Sequence, residues 1–149
     1  MFIAAFLLVW GLGLSLKSKE YNRQIAIGNA KARVEIAQSL AEKYRGLSGR
    51  ESMCAECGML FVFEKPEIQN FSMRGMQFAL DFVFIRGGRV TKIYEDIRPS
   101  REGESPAQVS SSAPADAVLE LNAGFVRTRG IQNGDTVSLV PDWAYPFDD

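Results

Sequence analysis

The chain has 149 residues, a formal net charge of −1 and 46% hydrophobic residues, which together indicate one domain with enough apolar side chains for a real core. It contains no histidine, which excludes a Ser-His-Asp or Cys-His arrangement within one chain and removes the commonest zinc ligand. Its lysines and arginines are interspersed with acidic residues, which argues against a nucleic-acid partner bound through its phosphates.

The chain begins with an apolar segment, Met1 to Leu16, followed by Lys17 and Lys19. This segment is shorter than the roughly 20 residues of a membrane span, but no polar face interrupts it. We expect residues 1–19 to be a signal peptide or membrane anchor, and residues 20–149 to form a single domain that folds without them. The alternative is a buried N-terminal helix of that domain.

The first elements of the domain are predicted to be a hairpin and a short helix. Alternation of apolar and polar residues predicts strands at Gln24–Ile27 and Ala32–Ala37 around a Gly-Asn turn. Ser39 and Glu42 then form the Ser-x-x-Glu pattern of a capping box, which predicts a helix over Leu40–Arg45 that ends at the following glycine.

The middle of the chain is rich in phenylalanine and methionine. Met59 to Phe63 is apolar at every position, which predicts a strand covered on both faces, and Pro66 is expected to end it. Further strands are predicted at Phe71–Met73, Phe78–Ile85 and Val90–Tyr94.

The last third begins with Pro99 to Asp116, which has no periodicity and is predicted to be a long mobile loop. A strand at Ala117–Leu121, one or two helical turns within Gly124–Gly130 and a final strand at Thr136–Val140 follow. About seven short strands and two short helices predict a β-rich α+β domain, with an antiparallel sheet or a partly closed barrel.

Two carboxylates fall inside predicted strands. Asp81 lies among apolar residues, so it needs a partner or a function, because an unpaired buried carboxylate is costly. Its structural explanation is an ion pair with a nearby arginine or hydrogen bonds to loop amides; Arg74 and Arg50 are the expected ion-pair partners. Glu120 either faces water or forms an acid–base pair with Asp81.

Cys54 and Cys57 form a Cys-x-x-Cys motif. The following residues predict a strand rather than the helix of a thioredoxin-type site, and a zinc site would need further ligands. A local disulfide is the expected state in an exported domain, and two free thiols in a cytosolic one.

Six motifs occur in one order along the chain, and together they resemble the domain-of-unknown-function family 192 of small bacterial and archaeal proteins. They are VEIAQS with RGLSGR (34–50), CGMLFVFE (57–64), FSMRGMQFALDFVFI (71–85), GRVTKI (88–93), AVLELNAG (117–124) and GIQNGDTV (130–137). The resemblance spans roughly residues 34–140 and implies a compact β-rich domain, without implying a reaction. Family members commonly have a tryptophan at the position of Ser72, an Asn-Thr pair near Gly75 and Met76, and a proline at the position of Ala79.

The sequence therefore favours an exported or membrane-anchored, non-enzymatic binding or accessory module at the cell envelope. Its expected site lies near Asp81, Arg74, Arg50 and Glu120, its expected partner is a small molecule or an envelope protein, and it is expected to use no cofactor or metal. One alternative is a hydrolase or isomerase with paired carboxylates Asp81 and Glu120. A second alternative is a redox or metal module at the two cysteines.

Overall fold

The computed structural model describes residues 21–140, so the predicted anchor at 1–19 and the aromatic, acidic tail at 141–149 lie outside the described residues. Within that part of the chain, no helix is long and apolar enough to cross a membrane. The elements are β1 (Arg23–Ile27), β2 (Ala30–Ala37), α1 (Leu40–Arg45), β3 (Cys57–Glu67), β4 (Asn70–Ser72), β5 (Leu80–Arg86), β6 (Arg89–Ile97), β7 (Gln108–Ser110), β8 (Ala115–Asn122), α2 (Phe125–Arg129) and β9 (Val137–Leu139).

Seven strands form one curled sheet in the order β6-β5-β8-β3-β2-β1-β9. A bridge between Arg89 and Thr136 brings the two edges of the sheet together at one end, which makes the sheet a half-barrel. All neighbouring strands run antiparallel except β2 and β3, which run parallel because α1 and its following loop carry the chain back to the start of β3. The predicted β-rich α+β class with a partly closed barrel is confirmed.

The helix predicted from the capping box is also confirmed. The Ser39 hydroxyl accepts a hydrogen bond from the Glu42 N–H at 3.2 Å, and the Glu42 carboxylate accepts one from the Ser39 N–H at 2.9 Å. No residue of α1 is buried, so the helix lies on the surface of the domain. The buried Leu47 directly after the helix fixes its end to the sheet.

Two predicted boundaries are wrong. Pro66 does not end β3, which continues to Glu67; the strand pairing with β8 shifts register between Val62 and Glu67, and a proline is tolerated where the ladder is interrupted. The predicted loop at Pro99–Asp116 contains β7 and the start of β8. Strand β7 pairs with β4 in a separate two-stranded sheet, and so short a strand forms only because a distant partner supplies its hydrogen bonds.

The main sheet separates two hydrophobic cores. The inner core, inside the curl, collects side chains from strands at both ends of the sheet and from α2, among them Ile25, Ile27, Val34, Leu60, Val83, Ile85, Leu119, Leu121 and Val126. The outer core lies on the other face and includes Met59, Phe61, Met73, Leu80, Phe82, Phe84, Val109 and Val118. Since both faces of the central strands are covered, a carboxylate on either face is removed from water.

Candidate functional site

The two candidate carboxylates point to opposite faces of the sheet. Phe82 on β5 lies opposite Glu120 on β8, and Asp81 lies opposite Leu121. Because successive side chains of a strand alternate between faces, Glu120 points into the outer core and Asp81 into the inner one. The paired-carboxylate arrangement is therefore not formed.

Asp81 is completely buried and binds two backbone amides. Its Oδ1 accepts a hydrogen bond from the Asp96 N–H at 2.9 Å, and its Oδ2 accepts one from the Val126 N–H at 2.9 Å. Asp96 has a φ of 53°, and Val126 lies in the first turn of α2, so one carboxylate fixes a strained position of β6 and the start of a helix. The expected arginine partner is wrong. Among the described residues Asp81 binds backbone amides instead, as its alternative explanation expected, but these amides lie in β6 and α2 rather than in loops.

Glu120 is buried without any hydrogen bond to its carboxyl group among residues 21–140. It is 5% exposed, so the expectation that it could face water is not met. Burial raises the pKa of Glu120 to about 8, and the Arg50 guanidinium lowers it by a smaller amount. Glu120 therefore holds its proton at neutral pH and presents a neutral carboxyl group that can donate a hydrogen bond.

Arg50 is already paired with another carboxylate, which explains why it does not ionise Glu120. Its Nη2 donates to both carboxylate oxygens of Glu35, at 3.1 Å and 2.8 Å, and its Nη1 donates to the Tyr21 hydroxyl at 3.5 Å. The Arg50 side chain is 8% exposed, and its Nε is buried with no hydrogen-bond partner in the described part of the chain. Thus Arg50, predicted as a partner of Asp81, instead neutralises Glu35 close to Glu120.

Glu120 lines a cavity of about 450 Å³ between α1 and the outer face of the sheet, and among the lining residues that the structure describes it is the one buried ionisable group. The apolar part of its wall comes from α1, β3, β4 and the segments that follow α1 and β4: Leu40, Leu47, Phe61, Phe63, Phe71 and Met76. Neutral polar side chains, among them Gln69 and Asn70, also line it. The Phe71 ring meets the rings of Phe61 and Phe82 edge to face, with centroids 4.9 Å and 6.0 Å apart, so one wall is a fixed aromatic cluster.

Three cations surround the same cavity. Lys43, Arg45 and Arg74 belong to its lining, and among residues 21–140 Glu120 is its only acidic residue. The Lys43 ammonium lies 4.6 Å from the centre of the Phe63 ring, and the Arg74 guanidinium lies 5.3 Å from that of Tyr44. The three cations give the cavity a net positive charge at neutral pH, which the neutral Glu120 does not reduce.

A wider depression of about 800 Å³ adjoins this cavity and shares Leu40, Lys43, Phe63 and Gln69 with it. Its lining contains Glu64, Glu67 and Lys65, all of them exposed. We place the candidate site in the smaller cavity because only that one has a buried ionisable group with an altered pKa.

A glycine allows the backbone of Glu120 to be packed this closely. A Cβ atom at Gly58 would lie 2.7 Å from the Glu120 carbonyl oxygen and 2.9 Å from a methyl group of Leu121. Any larger residue at Gly58 would therefore push β3 away from β8 next to the candidate site.

Three of the four residues predicted for the site lie on one side of the sheet. Glu120 and Arg74 line the cavity, and Arg50 lies close enough to Glu120 to influence its pKa. Asp81 is on the other face. Lys43, Tyr44 and Phe71 also line the cavity and were not predicted, because a surface helix and a three-residue strand give no sign in the sequence of the cavity that they enclose.

Cys54 and Cys57 form a disulfide, with their Cα atoms 5.1 Å apart. No cluster of three or more residues able to hold a metal ion occurs among residues 21–140. The disulfide lies outside the cavity lining, so the two features are separate.

Comparison with known proteins identifies the fold without assigning a reaction. The family model DUF192, described as uncharacterised ACR, matches residues 23–139. A "putative transcription regulator" from Sinorhizobium meliloti 1021 is 30% identical, with a TM-score of 0.71 over 78% of this chain and 92% of its own. A protein of unknown function from Novosphingobium aromaticivorans DSM 12444 is 29% identical, with a TM-score of 0.70 over 77% of this chain and 83% of its own. No curated protein matches the chain significantly.

Proposed function

The chain belongs to the DUF192 family of uncharacterised proteins, and on that premise we propose that it is a non-enzymatic binding module whose cavity takes a small organic anion with an apolar body. The observation that carries this proposal is Glu120, a buried acid with a pKa of about 8, in a cavity whose other charged residues among residues 21–140 are all cations. A small aromatic or aliphatic carboxylate has the chemistry that fits this cavity.

The size and the walls of the cavity support an apolar body for the ligand. A volume of about 450 Å³ lies within the range of roughly 300–1,000 Å³ that small-molecule sites occupy. The Phe61 and Phe71 rings offer a preformed aromatic wall that Phe82 supports from behind, so binding costs little side-chain ordering there.

The charges support an acidic group on the ligand. Lys43, Arg45 and Arg74 attract an anion, and the neutral Glu120 carboxyl group can donate a hydrogen bond to one of its oxygens. The same glutamate would repel an anion once ionised, so the affinity for an anion is expected to fall as the pH rises through about 8.

A second candidate is a hydrolase or isomerase in which Glu120 acts alone as the acid–base group. The pKa of about 8 favours it, because general acids and bases work best when their pKa lies near the working pH. Asp81 cannot assist, since it lies on the other face of the sheet and binds two amides. Turnover of a bound compound would support this candidate over the binding module.

We also propose that the protein works at the cell envelope, attached or exported through Met1–Leu16. Support for this location comes from the uninterrupted apolar sequence of that segment. We do not propose that this chain acts as a transcription regulator like the one named for the Sinorhizobium relative. Its pI of about 5.6 is unfavourable for binding nucleic acid through phosphates.

The test compares phenylacetate with its neutral amide, phenylacetamide, by calorimetry on the full chain in mild detergent. We expect the acid to bind and the amide to bind at least about fivefold more weakly, because only the acid is attracted by the three cations. Arg74→Gln should weaken phenylacetate binding by about fivefold. Glu120→Leu, tested separately, should weaken it by a larger factor, because it removes the hydrogen-bond donor.

Arg101→Gln is the matched control, because Arg101 is exposed and does not line the cavity. Equal affinity for the acid and the amide, or an Arg74 variant that binds as well as the unaltered protein, would contradict the proposal. Chemical conversion of phenylacetate or phenylacetamide during the titration would show that the protein is an enzyme and not a binding module.

A further inference from the structure

The cysteine motif has features that a purely structural disulfide does not need. Cys54 is exposed, whereas Cys57 is completely buried at the first position of β3. A disulfide that closes so short a loop contributes little stability, because the loss of unfolded-state entropy grows with loop length. Stability alone therefore gives little reason for this bond.

The loop keeps its shape through hydrogen bonds that do not involve sulfur. The Cys57 N–H donates to the Cys54 carbonyl at 3.0 Å, and the Asn122 side chain donates to the same carbonyl at 2.8 Å. The Arg33 N–H donates to the Glu56 carbonyl at 2.9 Å, and Arg129 forms an ion pair with the Glu56 carboxylate. Because these contacts involve no sulfur atom, they can persist when the disulfide is opened.

A guanidinium group lies beside the exposed sulfur. Arg33 Nη2 donates to Cys54 Sγ at 3.4 Å, from the strand that pairs with the start of β3. A cation next to a cysteine stabilises the thiolate, which is the reactive form in exchange chemistry. Stabilising the reduced form also makes a disulfide a stronger oxidant of other thiols.

We propose that Cys54–Cys57 is a reversible thiol–disulfide exchange centre that oxidises accessible thiols, with Cys54 as the sulfur that reacts with the substrate. The asymmetry in exposure assigns the roles, because an incoming thiolate can reach Cys54 and not Cys57. This inference does not depend on the ligand proposed for the cavity.

The exchange proceeds in two balanced steps. A substrate thiolate attacks Cys54 Sγ, a mixed disulfide forms, the Cys54–Cys57 bond breaks, and Cys57 leaves with the electron pair and takes up a proton. A second substrate thiolate then attacks the substrate sulfur of the mixed disulfide and releases Cys54 as a thiolate beside Arg33. Two substrate thiols lose two electrons and two protons and become a disulfide; one proton resides on Cys57, and the other passes to the solvent. A small disulfide such as oxidised glutathione returns the centre to its oxidised form.

Single-cysteine variants of the full chain test the assignment of roles. Cys57→Ser and Cys54→Ser are each reduced, incubated with oxidised glutathione and followed by intact mass. We expect the variant that retains Cys54 to gain one glutathione at least about tenfold faster than the variant that retains Cys57, because the Cys57 sulfur is inaccessible. Denaturing both variants should remove this difference. Equal rates in the folded proteins would overturn the proposal.

The role of Arg33 is tested in the protein with both cysteines. In mixtures of reduced and oxidised glutathione, we expect the oxidised and reduced forms of the unaltered protein both to be populated. Arg33→Gln should shift this equilibrium toward the disulfide by about fivefold. Arg33→Lys keeps a cation at this position and should give a smaller shift. Arg23→Gln, at an exposed position, should leave the equilibrium unchanged. A centre that stays fully oxidised at every ratio, or a shift equal in the Arg33 and Arg23 variants, would contradict the inference.

The source of the substrate thiol is distinguished by two arms of one assay, which offer the oxidised protein either glutathione or an unfolded peptide with two cysteines. Oxidation of glutathione identifies small thiols as substrates, and oxidation of the peptide alone identifies protein thiols. If neither is oxidised, the centre does not perform the proposed reaction.

Discussion

Asp81 and Glu120 lie on neighbouring strands of one sheet and are almost equally buried, but their surroundings differ in kind. Each oxygen of Asp81 accepts a hydrogen bond from a backbone amide, and those amides belong to a strained position and to the start of a helix. Glu120 has no hydrogen bond to its carboxyl group among the described residues and lines a cavity. Burial alone therefore does not distinguish a structural carboxylate from a candidate functional one; the distinction comes from whether its oxygens have partners.

The largest expected effect is that of Asp81→Asn on stability. An amide side chain keeps one acceptor oxygen, so its NH₂ group would face the N–H of Asp96 or Val126 and leave that donor unpaired beside a buried polar group. We expect a loss of about 3 kcal/mol in the free energy of unfolding, measured by chemical denaturation.

Glu95→Gln is the control for this change, because Glu95 is exposed on β6, next to Asp96. Glu35 is unsuitable as a surface control, since it is paired with Arg50. If the Asp81 and Glu95 variants unfold at the same denaturant concentration, Asp81 is not the structural member of the pair.

The second prediction concerns the pH dependence caused by Glu120. Its pKa is about 8 in the folded protein and about 4.3 in an unfolded chain, so between these values the folded state holds a proton that the unfolded state has released. Stability should therefore fall as the pH rises through this window and level off above about pH 8. We expect a loss of roughly 2 kcal/mol between about pH 6 and about pH 8, at a slope of up to about 1.4 kcal/mol per pH unit.

Glu120→Gln removes the titrating proton and keeps a neutral side chain of similar size, so it is the reference for this measurement. The difference in unfolding free energy between the two proteins should be constant below about pH 3.3, one unit under the unfolded pKa, and should change as the pH rises through the window. Parallel curves from acidic to alkaline pH would mean that Glu120 is ionised when folded, like an ordinary surface carboxylate.

A smaller loss of stability is expected from removing both cysteines. Their loop is also held to β8 by the Asn122 side chain, which donates a hydrogen bond to the Cys54 carbonyl. Because the bonded cysteines are three positions apart, Cys54→Ser combined with Cys57→Ser should cost less than about 2 kcal/mol in thermal or chemical unfolding. Complete unfolding of the double variant would show that the loop depends on the bond rather than on its hydrogen bonds.

The smallest expected effect concerns the influence of Arg50 on the pKa of Glu120. Arg50 lowers the pKa of Glu120, so Arg50→Gln should move the upper end of the pH window to higher pH, by about one unit or less. Arg45→Gln is the control, since Arg45 lines the cavity but does not affect the pKa of Glu120. Identical shifts in the two variants would assign the effect to the general positive charge of the site rather than to Arg50.

Local patterns in the sequence were sufficient for the elements whose signals lie within a few residues. The capping box placed α1 at Leu40–Arg45, and the alternation around Asp81 and Glu120 placed both on strands. Strand β7 and the continuation of β3 past Pro66 were missed, because their pairing partners are distant in sequence or interrupted by a register shift.

The sequence by itself determined the β-rich class, the family, the capped helix and the presence of two carboxylates that burial would make costly. Only the tertiary structure decided that Asp81 binds two amides, that Arg50 pairs with Glu35, and that Glu120 lines a cationic cavity. The physical reason is the distance along the chain between the residues that interact. Strand alternation and helix capping depend on neighbours within a few residues, whereas the pKa of a buried acid depends on which strands, loops and charges the fold brings around it.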